Sequence, residues 1–342
     1  MTGLVCLSAR DRSLPEALRA YLDERHAAEA DALSIAPLAG DASTRRYFRL
    51  SGRGAPQVLA LYPEPFAAEE SSFLGVRALL VDCGLPVPDV LDVDGARGLL
   101  LLEDLGDVTL QQALQGASAA QRESFYREAL GQLARLQEQA ARVPQQAACF
   151  RSAFDTPKLS WELHYFQKHF LEGQRGCELS VEDRATLAES FHRLAEEIAS
   201  WPRVLCHRDF HSRNLMLHDG RLCWIDFQDA RLGPASYDLV SLLRDSYVDL
   251  DEDFVAARCE EFRRLALPGD APAVFERRFE LLSVQRNLKA LGTFGFMQSV
   301  RGSDVYRPYV PRTLSHARRN LARHPELAAL WRVLARHVEE LQ

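Results

Sequence analysis

The segment from His207 to Phe227, HRDFHSRNLMLHDGRLCWIDF, constrains the fold more than any other part of the chain. Its dipeptide Asp219-Gly220 is typical of a two-residue type I′ turn between paired strands. With this turn, Asn214 lies opposite Ile225, so the Asp226 carboxylate can approach the Asn214 amide oxygen. The segment therefore predicts a β-hairpin that brings two oxygen-bearing side chains together.

Oxygen ligands from two strands suit a Mg²⁺ ion that keeps several waters and also binds phosphate. Asp209 lies five residues before Asn214, in the loop that leads into the hairpin, where it can accept a proton from a hydroxyl group. Each of these residues alone is common in turns and at strand edges. Together they predict a phosphoryl-transfer site, with Asp209 as the catalytic residue and Asn214 and Asp226 as metal ligands.

Length and composition limit the remaining possibilities. A chain of 342 residues forms two domains or two lobes most naturally. The net charge of −7 argues against a nucleic-acid partner. No apolar run is long enough for a membrane span, and the first residues lack the apolar region of a signal peptide. The seven cysteines are scattered without a C-x-x-C pair, which favours reduced thiols in a cytoplasm over disulfides or zinc.

Short strands and helices alternate in the N-terminal part. We predict a helix over 12–30, with Ser13 as its N-cap, and a second helix over 66–83. The predicted strands are 32–38, 46–51, 57–62, 87–93 and 98–102. This order is an α+β pattern with antiparallel hairpins. The change from an apolar strand to Glu103-Asp104-Leu105-Gly106 places a boundary between residues 1–103 and 104–342.

The C-terminal part is predicted to be mainly helical, apart from the hairpin. Residues 301–311 are predicted to be a loop. The predicted helices are 107–116, 119–142, 159–173, 181–200, 236–247, 251–265, 272–299 and 312–341.

These features resemble the aminoglycoside phosphotransferase-like kinases, which are relatives of the protein kinases. The resemblance covers roughly residues 30–300 and is most specific over 207–238, where H-x-D-x-x-x-x-N is followed by I-D-F. Within that superfamily the chain is most similar to bacterial anomeric sugar kinases that phosphorylate N-acetylmuramate and N-acetylglucosamine at C1. The supporting segments are GDASTRRYFRL (40–50), LCHRDFHSRNLM (205–216), WIDFQDARLGPASYDLVSLLRDSY (224–247) and VQRNLKALGTF (284–294).

The resemblance implies a protein-kinase-like α+β fold, with a small antiparallel sheet in the N-lobe and a larger, mainly helical C-lobe. ATP is the implied phosphate donor, and Asn214 and Asp226 are the implied ligands of Mg²⁺ that bridges its phosphates. Asp209 then faces the acceptor hydroxyl. His207 is expected to pack beneath the catalytic loop, and Asp238 to brace that loop from a helix.

On the nucleotide side, the resemblance implies that Ser43 and Thr44 donate to phosphate oxygens and that the backbone of Glu103 and Leu105 binds adenine. Kinases of this type usually carry a lysine on the third strand, but residues 1–157 contain none. We therefore expect an arginine to take the phosphate contact. Arg46 is the predicted residue, with Arg45 and Arg49 as the nearest alternatives.

On the acceptor side, the lactyl carboxylate of N-acetylmuramate requires a cation, for which Arg213, Arg286 and Lys289 are candidates. Asp245 is expected to accept hydrogen bonds from sugar hydroxyls, and His211 to line the pocket. The partner is thus a small-molecule sugar, with no nucleic acid or membrane, bound to a monomer.

Three alternatives remain open from the sequence. An acidic run at Asp249, Asp251, Glu252 and Asp253 keeps an aminoglycoside or choline-like acceptor possible. The pattern H-x-D-x-H at 207–211 resembles a metal-dependent hydrolase, although further zinc ligands are missing. The missing lysine is compatible with a kinase-like binding module without catalysis, but the presence of Asp209, Asn214 and Asp226 together argues against it.

Overall fold

An antiparallel sheet forms the N-terminal part of the chain. The structure is a computed structural model, and it describes residues 7–8, 11–27, 32–38, 44–143 and 147–342. The strands of the sheet are β1 (Leu7–Ser8), β2 (Ser34–Leu38), β3 (Arg46–Ser51), β4 (Gln57–Leu61), β5 (Val90–Asp94) and β6 (Leu99–Glu103). They lie in the order β1-β2-β3-β4-β6-β5, and every neighbouring pair is antiparallel. The five predicted strands are confirmed with small shifts at their ends, and β1 is an unpredicted edge strand.

The two faces of the sheet have different neighbours because successive side chains of a strand point to opposite sides. Phe48 and Leu59 pack in one cluster with residues of α1 (Glu16–Arg25). Ala60 and Leu100, on the other face, join the main hydrophobic core. One face of the sheet is therefore covered by α1, and the other is turned toward the helical part of the chain.

The start of α1 differs from the prediction of a helix from residue 12 with Ser13 as its N-cap. The helix begins at Glu16 after Pro15, and no side chain caps it. The Ser13 amide and hydroxyl instead donate to Asp11 Oδ1, at 2.8 and 2.7 Å. Proline disfavours a helical conformation in the residue before it, so the helix cannot extend back through Leu14.

Helices make up most of the remaining chain. They are α2 (Ser72–Asp82), α3 (Leu110–Leu114), α4 (Ala119–Ala140), α5 (Thr156–Phe166), α6 (Val181–Ser200), α7 (Tyr237–Leu243), α8 (Glu252–Ala266), α9 (Pro272–Ser299), α10 (Val310–Arg323) and α11 (Ala328–His337). Residues 280–288 of α9 are all buried, as expected of a helix surrounded by others. Polar side chains on this segment are therefore forced into contact with other protein groups.

Among the predicted helices of the C-terminal part, three differ most from the structure. The predicted helix 159–173 is α5 followed by a π-helical segment, Gln167–Gln174. This segment packs very closely on α9: a Cβ at Gly295 would lie 2.3 Å from the His169 carbonyl oxygen. The predicted helix 312–341 is divided into α10 and α11, because Pro325 follows an extended His324. The predicted helix 236–247 is shorter, and ends at Leu243.

The predicted hairpin is confirmed, and it is accompanied by two strands that the prediction missed. The hairpin strands β8 (Leu215–His218) and β9 (Arg221–Trp224) have the predicted register. The other two strands, β7 (Arg203–Cys206) and β10 (Arg231–Pro234), pair with each other. Each has only four residues, which is too short for a clear periodic pattern. They fix both ends of the segment that carries Asp209 and Asp226.

The last strand of the six-stranded sheet ends at Glu103, where the boundary between the two parts of the chain was placed. The division into residues 1–103 and 104–342 stays a prediction. None of the helices in the described residues has the length and apolar character needed to cross a membrane.

Candidate active site

Asp209 lies in a loop that follows β7 and is held by a buried carboxylate. Asp238, at the start of α7, accepts hydrogen bonds from the backbone amides of His207 at 2.6 Å and Arg208 at 3.0 Å. Arg208 has a φ of +88°, which a residue with a side chain rarely adopts. Such a conformation persists only where the surroundings enforce it. Asp238 thus fixes the backbone immediately before Asp209, as expected from the resemblance.

A second buried carboxylate holds the other end of the same loop. Asp245 Oδ2 accepts from the Ser212 amide at 2.9 Å, and its Oδ1 accepts from the Tyr247 amide at 2.8 Å. The side chain is buried, and burial raises the pKa of its carboxyl. Both carboxylate oxygens are therefore engaged by backbone amides. These two bonds place Asp245 to position the loop, and its predicted contact with sugar hydroxyls stays a prediction.

His207 connects the loop to the hairpin. Its Nε2 lies 3.0 Å from the Ile225 carbonyl oxygen, and its ring packs between Phe210 and Trp224. Burial lowers the pKa of His207, so the ring is neutral at physiological pH. This arrangement gives His207 the predicted structural position.

The end of the hairpin brings Asn214 and Asp226 together. The Ile225 amide donates to the Asn214 carbonyl at 3.0 Å, which is the predicted pairing. Asn214 Nδ2 donates to the Asp209 carbonyl at 2.9 Å and lies 3.4 Å from Asp226 Oδ2. The prediction that Asp226 approaches the amide oxygen is thus corrected, because the amide nitrogen makes this contact. The Asn214 Oδ1 is then the atom that can face a cation.

The charge around Asp226 suits a bound cation. Its backbone has a φ of +62°, and the residue is exposed. Partial burial raises the pKa of Asp226, and the negative charges of Asp209 and Asp229 act in the same direction. In the described part of the chain, no group of three or more His, Cys, Asp and Glu side chains could hold a metal ion. The Asn214 amide oxygen and the Asp226 carboxylate are hard oxygen donors of the kind that a Mg²⁺ ion binds beside water and phosphate.

Three cations surround the Asp209 carboxylate. Lys289 Nζ lies 2.9 Å from Oδ1, Arg208 Nε lies 3.6 Å from Oδ2, and Arg286 Nη2 lies 4.0 Å from Oδ1. Burial alone would raise the pKa of Asp209, but these three charges outweigh it and hold the pKa well below its usual range. Asp209 is therefore ionised and accepts hydrogen bonds.

Two of the cations predicted to bind substrate are already engaged by protein groups. Arg286 Nη1 donates to the Arg208 carbonyl at 3.0 Å, and its guanidinium lies 4.4 Å from the centre of the Tyr237 ring. Arg213 donates to Tyr309 Oη at 2.6 Å and lies over the Tyr247 ring. Arg286 is thus placed to support the catalytic loop, and Arg213 to lock the loop onto neighbouring aromatic rings.

His211 lies close to Asp209 but cannot be a cation. Its ring is perpendicular to that of Tyr247, at 5.2 Å between centroids. Burial lowers the pKa of His211 to about 3, with only partial opposition from Asp209. A neutral ring fits the predicted position at the pocket wall.

On the predicted nucleotide side, the residues at the start of β3 are not placed as expected. Arg46 and Thr44 line a groove of about 640 Å³ beside α1, on the face of the sheet that α1 covers. The pleat of β3 thus puts Arg46 on the face opposite to the one that joins the main core, and the predicted phosphate contacts of Arg46 and Thr44 stay predictions. Ser43 lies outside the described residues.

Arg45 lies on the opposite face. Its guanidinium is 4.6 Å from the centre of the Tyr62 ring. Burial alone would lower the pKa of Arg45, but Tyr62, Tyr47 and Asp226 together raise it. Arg45 is therefore within electrostatic reach of the predicted metal ligand. Arg45 was an alternative to Arg46 in the sequence, and its position makes it the arginine nearer in charge to the hairpin.

The residues at the predicted boundary between 1–103 and 104–342 lie against the same hairpin. Leu105 packs in a small apolar cluster with Met216, Cys223 and Ile225. Arg49, the third arginine considered for phosphate, instead pairs with Asp104 at 2.5 Å. The apolar cluster would suit an adenine ring, and the predicted backbone contacts of Glu103 and Leu105 lie beside it.

Residues 34–275 match a family model described as "Phosphotransferase enzyme family". The chain belongs to this phosphotransferase family. It is therefore an enzyme that transfers a phosphoryl group to a hydroxyl acceptor, and membership implies ATP as the donor.

Several curated relatives are similar over most of their length. A Neisseria meningitidis protein named "N-acetylmuramate/N-acetylglucosamine kinase" is 36% identical over 314 residues, which cover 89% of this chain and 91% of the relative. A Pseudomonas aeruginosa protein with the same name is 33% identical, with 88% of each chain covered. A third, from Caulobacter vibrioides, is 31% identical over 84% of this chain and 90% of its own.

Solved structures confirm the kinase-like fold of the phosphotransferase. The gentamicin complex of APH(2")-IIa has a TM-score of 0.60 at 15% identity, covering 92% of this chain and 98% of the other. The choline kinase LicA from Streptococcus pneumoniae has a TM-score of 0.59 at 16% identity, covering 90% and 99%. At this level of identity, the similarity establishes the fold and leaves the substrate open.

The contact between Lys289 and Asp209 was not predicted, because eighty residues separate the two. The sequence did contain one signal for it. Lysine is rare in this chain, at positions 158, 168 and 289 alone. The lysine on the helix predicted over 272–299 was therefore an unusual residue at that place.

Proposed function

We propose that this phosphotransferase uses ATP and Mg²⁺ to phosphorylate the anomeric hydroxyl of N-acetylmuramate, N-acetylglucosamine or both. The names of its curated relatives support the amino-sugar acceptor. Asn214 and Asp226 support the metal, which would neutralise charge on the transferred phosphate when bound.

The observation that carries the choice of acceptor is the cationic surrounding of Asp209. Lys289, Arg208 and Arg286 all lie within 4.0 Å of its carboxylate. Aminoglycosides are polycations and choline carries a fixed positive charge, so both would be repelled where the acceptor hydroxyl must lie. Neutral and anionic sugars experience no such repulsion.

The acidic run that kept the aminoglycoside alternative open has other partners. Asp251 is the N-cap of α8 and accepts from the Phe254 amide at 2.8 Å. Glu252 pairs with Arg244 at 2.7 Å and also with Arg319. These carboxylates stabilise a helix start and its packing, and they are not gathered around Asp209.

Asp209 is suited to orient the acceptor hydroxyl and to take its proton as the bond to phosphorus forms. Its low pKa keeps it ionised, so a hydroxyl group can donate to it at any physiological pH. Asp238 and Asp245 hold the two ends of its loop, which limits movement of the carboxylate. Most of the rate acceleration would thus come from positioning and charge.

The hydrolase and binding-module alternatives receive less support. The Nε2 of His207 is engaged by the Ile225 carbonyl, so the pattern H-x-D-x-H does not form a ligand cluster. Arg45 offers a cation on the nucleotide side, which weakens the argument that a missing lysine prevents catalysis.

We also propose a monomeric cytoplasmic enzyme. The cysteines in the described residues are free thiols, four of them buried, as is usual in a reducing compartment. Size-exclusion chromatography with light scattering would test the monomer.

The decisive experiment is turnover of ATP with Mg²⁺ across a panel of acceptors. We expect N-acetylmuramate or N-acetylglucosamine to support turnover, with a sugar 1-phosphate identified by ³¹P NMR. Kanamycin and choline should give none. Turnover with an aminoglycoside and with neither sugar would refute the proposal.

A further inference from the structure

One face of α5 carries an aromatic ring and a cation beside the acceptor region. Lys158, Trp161 and Tyr165 are spaced so that they lie on the same side of the helix. Lys158 Nζ is 4.2 Å from the centre of the Trp161 ring, and the tilted Tyr165 ring has its centroid 5.1 Å from that of Trp161. Trp161 is 55% exposed. The other large hydrophobic side chains exposed in the described chain are all Val or Leu, so this indole is an exception that requires an explanation.

Lys158 belongs to the same cationic region as the catalytic aspartate. Burial lowers the pKa of Lys158, and Glu162 opposes this shift while the charges of Arg208, Arg231 and Lys289 add to it. Two of those cations, Arg208 and Lys289, contact Asp209. An anion bound at Lys158 would therefore be attracted by several positive charges at once.

The neighbouring cations are committed to protein groups. Lys289 pairs with Asp209, Arg208 pairs with Asp229, and Arg231 Nε donates to the Asp229 carbonyl at 3.2 Å. Each of these contacts would be lost if the side chain turned to a ligand. Lys158 differs from these three cations in how its side chain is held.

Lys158 is held more loosely. Its carboxylate neighbour is Glu162, whose Oε1 is 3.7 Å away, beyond hydrogen-bond distance. The Oε2 of Glu162 instead accepts from Gln285 at 2.9 Å. The Lys158 side chain is 26% exposed, so a ligand can reach its ammonium group without breaking a hydrogen bond to Glu162.

We propose that Lys158 and Trp161 form a subsite for the lactyl carboxylate of N-acetylmuramate, an inference that rests on the proposed function. The lactyl group is attached at O3, across the sugar ring from C1. With the C1 hydroxyl at Asp209, its carboxylate reaches a cation that is near the Asp209 cluster but not bound to it. Lys158 binds this carboxylate, and the Trp161 indole covers the apolar side of the ring and its substituent.

N-Acetylglucosamine provides an internal control, because it has a plain hydroxyl group at O3 and is otherwise the same sugar. The experiment compares steady-state kinetics of the two sugars for the wild-type chain and for Lys158→Ala, Lys158→Arg and Trp161→Ala. Lys168→Ala is the matched control, since Lys168 is an exposed lysine on the adjacent π-helical segment.

We expect Lys158→Ala to raise KM for N-acetylmuramate about tenfold, as for the loss of one charged hydrogen bond. The same variant should change KM for N-acetylglucosamine by less than about twofold, since the O3 hydroxyl makes no ion pair. Lys158→Arg should restore most of the difference. Trp161→Ala should raise KM for both sugars roughly threefold, in line with a lost aromatic contact. Lys168→Ala should match the wild type.

Other outcomes overturn the subsite in distinguishable ways. Equal effects of Lys158→Ala on both sugars, or no effect, mean that Lys158 does not bind the lactyl group. If that variant does not fold, Lys158→Arg and Lys158→Gln decide, and equal selectivity of the two refutes the subsite. A wild-type chain that phosphorylates only N-acetylglucosamine refutes the subsite but not the proposed function. A wild-type chain that phosphorylates neither refutes both.

Discussion

The two sides of the cleft are held in place by different means. On the catalytic side, Asp209 and Asn214 lie in a loop whose ends are held by two buried carboxylates, Asp238 and Asp245. On the nucleotide side, Arg45 immediately precedes the interior strand β3, and its guanidinium contacts the Tyr62 ring. The first arrangement positions a reacting group rigidly, and the second places a charge where it can adjust to a bound nucleotide.

The comparison also applies to electrostatics. Asp209 carries a pKa far below its ordinary value because cations surround it, whereas the pKa of Asp226 is raised by burial and by neighbouring carboxylates. One carboxylate is thus already neutralised by the protein, and the other has charge available for a cation. This difference is compatible with the proposed roles, in which Asp209 orients the acceptor hydroxyl and Asp226 binds the metal.

The largest effect is expected from Asp209→Asn, which removes the group that the catalytic side holds in place. We expect kcat to fall ~10³-fold, because an amide cannot accept the hydroxyl proton. Steady-state kinetics with a sugar that the wild type phosphorylates would measure this loss, and circular dichroism would verify the fold.

Asp229→Asn is the control: it removes the same charge from a partner of Arg208, and kcat should change less than about threefold. Full turnover by Asp209→Asn would mean that the catalytic side has been assigned wrongly.

A smaller effect is expected from Lys289→Ala, which tests whether cations set the state of Asp209. The folded pKa of Asp209 is depressed, so ionised Asp209 is lost only as the pH falls through that low value. Without Lys289 the pKa rises, and kcat/KM should decline at a higher pH on the acid side. At neutral pH we expect kcat to fall about tenfold, which corresponds to ~1.4 kcal/mol.

The measurement for Lys289 is the pH profile of kcat/KM. Lys168→Ala, another lysine variant on an exposed segment, should retain the wild-type profile. An unchanged acid limb in Lys289→Ala would show that the ion pair at 2.9 Å does not control Asp209.

The catalytic side could be predicted from the sequence because its information is local. The Asp219-Gly220 turn fixes the hairpin register, and that register alone brings Asn214 opposite Ile225. Contacts between distant segments were less accessible. Lys289 and Asp209 meet only because α9 is buried in the core, and no periodicity of α9 specifies its partner. Asp245 has the residue type of a sugar ligand, and its two bonds to distant and local backbone amides are visible only in the structure.

The nucleotide side could not be predicted to the same degree, because successive side chains of a β-strand point to opposite faces of the sheet. Arg45 and Arg46 have the same chemistry, and they differ only in the face of the sheet on which they lie. The choice depends on which residues of β3 pack against α1, and in the structure these include Phe48 and Leu50. A shift of one residue in that assignment would exchange the faces of the two arginines.

The smallest effect is expected from the arginine pair, and it tests the nucleotide side directly. Arg45→Ala should raise KM for ATP about tenfold through the loss of one charged contact with phosphate. Arg46→Ala removes an identical side chain from the next residue, on the face covered by α1, and should change KM for ATP less than about twofold. Kinetics with ATP varied at saturating sugar would measure both.

A larger effect of Arg46→Ala would show that β3 presents its other face to the nucleotide. If neither variant changes KM, the phosphates are held by the metal and backbone amides, and the nucleotide side needs no substitute for the missing lysine.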